Sequence, residues 1–172
     1  AMSITPAQIA HIDKKFKDKN EEYRRKFMSG SVEKRQRARF KKSMEQMELW
    51  FGRFSNEQEA ALRRASDLRP LDNQQWLEER QYRQRRILAL LQEVQQKKLN
   101  REQTTAKVQG LMRELFTRME SPERKAFYDA SIDHTTKYIL TAIKLATPEQ
   151  KAHAQQRMQG WINDFEALAA GK

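Results

Sequence analysis

The chain has 172 residues, of which 38% are hydrophobic and 33% charged, with a formal net charge of +11. That length holds one domain or two small ones, and the lack of any cysteine excludes disulfides and thiol chemistry. No apolar run approaches the length of a membrane span, and eight Phe, four Tyr and three Trp at helical spacings exclude a chain that charge alone would leave disordered.

A mean hydropathy of -0.98 means a largely charged surface over a core made of narrow helix stripes. Five Gly and four Pro leave few breaks and favour long helices. The opening Ala1-Met2-Ser3 reads as a remnant of tag cleavage ahead of a cloned fragment. The first helix then starts at Thr5-Pro6-Ala7-Gln8, where Thr5 caps, Pro6 suits the first helical position and Gln8 closes a capping box. Ile9, Ile12, Phe16, Tyr23 and Phe27 mark one face of it, and Gly30 ends it. The second helix is capped by Ser31 and carries Val32, Phe40, Met44, Met47, Trp50 and Phe51, with Gly52 as its stop.

Ser55-Asn56-Glu57-Gln58 is another capping box, opening a short helix with Ala61, Leu62, Ala65 and Leu68 that breaks at Arg69-Pro70. Asp72 is the expected cap of a long helix to about Lys98, with Trp76, Arg80, Arg83, Ile87, Leu90, Leu91 and Val94 on its inner side. Arg80 and Arg83 interrupt that stripe, so this half of the helix faces either a partner or an acidic residue. Asn100-Arg101-Glu102-Gln103 restarts the pattern, and Val108, Leu111, Met112, Leu115, Phe116 and Met119 follow. Ser121-Pro122-Glu123 opens the next helix, with Phe127, Ile132, Tyr138, Ile139, Ala142 and Leu145. Thr147-Pro148-Glu149-Gln150 opens the last, with Met158, Trp161, Ile162, Phe165 and Leu168 as its apolar stripe, and residues 169–172 as a frayed end.

Alternating apolar residues persist nowhere, and no Asn-Gly or Asp-Gly hairpin turn occurs. The chain therefore reads as all-α: a single domain over 1–172, with six or seven helices in a long antiparallel bundle. The recurring cap at Thr5, Ser55 and Thr147 is either ordinary capping physics or a family signature.

Several of these segments together resemble a family of helical proteobacterial lipoproteins of unknown function. They are Thr5-Pro6-Ala7-Gln8-Ile9, Asn20-Glu21-Glu22-Tyr23-Arg24, Glu33-Lys34-Arg35, the run from Trp50 through Phe54 to Gln58, Trp76-Leu77-Glu78-Glu79-Arg80 and Thr147-Pro148-Glu149-Gln150. The resemblance spans nearly the whole chain. It implies a lipid-anchored periplasmic protein and supplies no catalytic residues. The lipid-attachment cysteine of such a protein would lie upstream of Ser3. Thr5-Pro6-Ala7-Gln8 and Thr147-Pro148-Glu149-Gln150 also resemble the Leu-Thr-x-x-Gln helix starts of Spy-like periplasmic chaperones, although Ile4 and Ala146 stand where that motif has Leu.

Catalytic chemistry finds little footing. His11, His134 and His153 form no zinc pattern. Ser131, Asp133 and His134 are close in sequence, but adjacent helix positions point different ways. There is no Gly-x-Ser-x-Gly motif and no Gly-rich phosphate loop. Glu21-Glu22 and Glu78-Glu79 read as partners of nearby arginines on exposed faces. No cofactor and no metal is expected, and the protein reads as non-enzymatic.

Arg35, Arg39 and Lys42 share one face of the second helix, and Lys34, Arg37 and Lys41 another. The face is either solvated or anion-binding. With Arg80 and Arg83, the first three are the expected contact residues for a protein client or an anionic envelope component, such as lipid headgroups or lipopolysaccharide. That reading makes the chain a periplasmic, membrane-anchored lipoprotein domain acting as a chaperone or assembly factor. The alternative is a basic helical protein that binds nucleic acid, which would need exposed aromatics or a recognition helix beside the charge.

Overall fold

The structure, a computed structural model, describes residues 4–171. The tag remnant read at residues 1–3 and the last residue of the end expected to fray, Lys172, lie outside them. Seven α-helices and no strand occur among the described residues: α1 (Pro6–Tyr23), α2 (Val32–Phe51), α3 (Asn56–Asp67), α4 (Asn73–Gln96), α5 (Arg101–Met119), α6 (Pro122–Leu145) and α7 (Pro148–Ala169). The fold is all-α.

The helix starts follow the capping chemistry. Thr5, Ser55, Asn100 and Thr147 each accept a hydrogen bond from the backbone N–H three residues on, and the side-chain oxygens of Gln8, Gln58, Gln103 and Gln150 accept in turn from the backbone N–H of the cap residue. Gly30 and Gly52, at the two expected stops, take φ of 86° and 75°, the left-handed region that favours glycine. Two local expectations fail. The first helix does not run regularly to Gly30: it widens into a single π turn at Arg24–Met28. Asp72 makes no side-chain cap (φ -78°, ψ 34°). Instead the Asn73 amide donates to the carbonyl of Phe27 at 2.6 Å, tying the start of α4 to the π turn.

The chain forms two compact units. The first holds the segment up to Gly30 and Asp72–Ala130; the second holds Ser31–Leu71 and the chain from Ser131 onward. The nine-residue stretch Pro122–Ala130 of α6 thus belongs to one unit and its remainder to the other.

In the first unit, α1 runs antiparallel to α4. The buried Asn20 amide donates to Gln84 at 2.7 Å, and further along the pair Tyr23 reaches the carbonyl of Asn73. Helix α5 folds back along α4 in turn, joined by Lys107 to Glu93, Arg86 to Glu114 and Arg118 to Glu79. Ile9, Leu77, Val94, Phe127 and Tyr128 are buried here. Trp76 meets Phe127 edge-on at 5.0 Å between ring centres.

In the second unit, α2 and α3 form an antiparallel hairpin, with Gln36 donating to the carbonyl of Asp67. Met44, Phe51, Phe54, Leu62, Tyr138, Ala142 and Ala146 make its core, and Phe40, Met47, Trp50 and Leu145 pack against it. Two of the capping boxes meet here. Gln58 donates to the carbonyl of Leu145 at 2.7 Å and to Gln150 at 2.9 Å, while Gln150 donates to the carbonyl of Arg53 at 2.7 Å. The glutamines that close the starts of α3 and α7 thereby satisfy each other and the backbone carbonyls beside them, at the end of α6 and just past α2, which a cap alone does not require.

Candidate functional site

The five arginines and lysines expected to make contacts fall in both units. Arg35, Arg39 and Lys42 belong to the second unit; Arg80 and Arg83 belong to the first. Arg39 is not a free surface cation. Its guanidinium donates to the carbonyls of Ser66, Arg69 and Pro70 at 2.7, 2.8 and 2.6 Å. Those groups lie at and just past the C-terminal end of α3, where backbone carbonyls lack helical partners and a cation is favoured. The expectation of a solvated face is corrected at this position: Arg39 fastens the hairpin. Arg35, one turn earlier on the same face, is half-buried. Lys42 is exposed and pairs with Glu45 at 2.9 Å.

The other face of α2 is free. Lys34, Arg37 and Lys41 are all exposed, and none makes an ion pair or side-chain hydrogen bond among the described residues. Their spacing of three and four residues puts them within one stripe of the helix. No ion pair among the described residues ties these three cations down, so their field is available to an anion approaching from solvent. In the first unit, Arg24, Arg25 and Lys26 are three consecutive exposed cations on the π turn, with Lys26 lying over the Phe27 ring.

Arg80 and Arg83 are half-buried. Arg80 lies 5.8 Å from the centre of the Tyr23 ring, a cation–π contact inside the α1–α4 pair. Neither Arg80 nor Arg83 makes an ion pair with an acidic residue among the described residues; the buried acid of α4 is its own Glu79, which pairs with other arginines. Glu79 is 1% exposed, which corrects its placement on an open face. Its carboxylate accepts from Arg118 Nε at 3.0 Å and Nη2 at 2.9 Å, accepts from the Tyr128 hydroxyl at 3.0 Å, and lies 3.1 Å from Arg124 Nε. Burial alone would raise the Glu79 carboxyl. Hydrogen bonds from Arg118 and Tyr128, with the charges of Arg118 and Arg124, outweigh it and hold the group below the usual carboxylate range. Burial and the bond to Glu79 push the Tyr128 hydroxyl up, partly offset by Arg83 and Arg118. A second such pair lies further along the α4–α5 hairpin: Arg86 grips Glu114 with two bonds of 2.7 and 2.6 Å, and Tyr82 adds a third at 2.6 Å. The sequence offered one usable sign of Glu79's position. It falls three residues after Trp76 and four before Arg83, inside the arc already assigned to the inner side.

The apolar residues expected as a core stripe on α7 are in solvent. Met158 is 56% exposed, Phe165 65% and Leu168 70%, and Trp161 and Ile162 are exposed too. From residue 158 to residue 171 every position is exposed. Packing ends with Trp161, whose ring meets Trp50 edge-on at 4.9 Å, and Arg157, which lies over the same indole. Earlier on the helix, His153 Nδ1 lies 2.7 Å from the carbonyl of Trp50. On α5 the expected stripe is likewise half open, with Val108, Met112 and Phe116 exposed.

No group of three or more His, Cys, Asp or Glu among the described residues is placed to hold a metal ion. No helix of the described residues is long and apolar enough to cross a membrane.

The family of unknown function DUF6279 matches residues 1–112, well over half of the chain. The chain belongs to that family. No curated protein and no solved structure matches it.

Proposed function

We propose that this DUF6279 member is a non-enzymatic binding domain of the bacterial envelope. In this reading it is held in the periplasm as a lipoprotein and contacts a protein client or an anionic envelope component through its cationic surface. The observation that carries the reading is the stripe of Lys34, Arg37 and Lys41 on α2, exposed and unpartnered while its neighbour Arg39 is tied to the end of α3. A chain of net charge +11 that leaves such a stripe open attracts polyanions over distances of about a Debye length, roughly 8 Å at physiological salt. A chaperone or assembly role accords with client binding of this kind, and the lipoprotein and compartment readings rest on the sequence resemblance.

The test measures retention of the purified protein on phosphatidylglycerol vesicles, on lipopolysaccharide, on duplex DNA and on periplasmic proteins, each over a salt titration. The comparison is with Lys34→Glu, Arg37→Glu and Lys41→Glu combined. The reading expects an envelope component to be held at moderate salt and released by the triple variant, whose thermal stability stays near that of the parent. Tightest binding to DNA, with a steep salt slope, would favour the nucleic-acid reading. Unchanged binding in the triple variant would remove α2 from the account.

A further inference from the structure

We draw no further inference here: the strongest candidate, the exposed apolar stripe of Met158, Ile162, Phe165 and Leu168 on the distal part of α7, carries none, because nothing in the structure shows what covers it.

Discussion

The open end of the α4–α5 hairpin and the far end of α7 invert the usual rule of burial in opposite senses. At Glu79 a carboxylate is almost wholly removed from water; at Phe165 and Leu168 large apolar side chains stay in it. The buried charge is tolerable because each of its acceptors is used: two arginines and a tyrosine converge on it from α5 and α6. The exposed apolar residues have no equivalent compensation within the chain. A buried polar group that is fully satisfied is a device of folding, joining three helices at one point. An exposed apolar stripe that is not satisfied is a surface without its other half. The arginines divide along the same line: Arg39, Arg118 and Arg124 are spent inside, while Arg37 beside Lys34 and Lys41 is open.

Perturbing the interior end of that contrast should cost most. Glu79→Ala leaves Arg118 and Arg124 without their counter-charge and is expected to lower unfolding free energy by about 3–5 kcal/mol in urea titration. A loss below about 1 kcal/mol would show that the cluster contributes no more than a surface pair. Leu62→Ala, at the fully buried centre of the second unit, should cost about 2–5 kcal/mol by the same measurement. Arg39→Ala should cost about 1–3 kcal/mol, since three carbonyls lose their donor, whereas Arg37→Ala should stay within about 0.5 kcal/mol of wild type. Equal effects at 37 and 39 would erase the distinction between the two faces of α2.

Acid sharpens the comparison further. Glu79 is held below the ordinary carboxylate range in the folded chain, so the unfolded chain binds its proton first as pH falls. The stabilisation is complete above the ordinary value of about 4.3 and is lost as pH drops through the depressed folded value. Chemical denaturation of wild type across that acidic window should therefore show a slope that Glu79→Gln flattens. The smallest effect is expected at the other pole: Phe165→Ala and Leu168→Ala, measured at low protein concentration, should each move stability by no more than about 0.5 kcal/mol.

Much of the fold was legible because it is written in local chemistry. Capping boxes at Thr5, Ser55, Asn100 and Thr147 and glycines at 30 and 52 punctuate the chain, and helical spacing fills the intervals. What local chemistry cannot carry is which side of a helix meets a neighbour. Arg39 and Arg37 differ by two positions and have the same side chain, yet only the structure shows that one faces the end of α3. Periodicity found the stripe on α7 but assigned it to the core, because a seam looks alike whether its partner is in the same chain or another. Glu79 was misplaced for the complementary reason: a carboxylate in a charged run reads as surface, and its three donors come from residues 118, 124 and 128, far along the sequence. The pairing of Gln58 with Gln150 was likewise hidden, since each glutamine looked complete within its own cap.

Amide hydrogen exchange tests the contrast most directly. The account predicts slow exchange around Glu79 and fast exchange in residues 162–169, beyond the contact of Trp161 with Trp50. Strong protection of that end of α7, equal to that around Glu79, would contradict it.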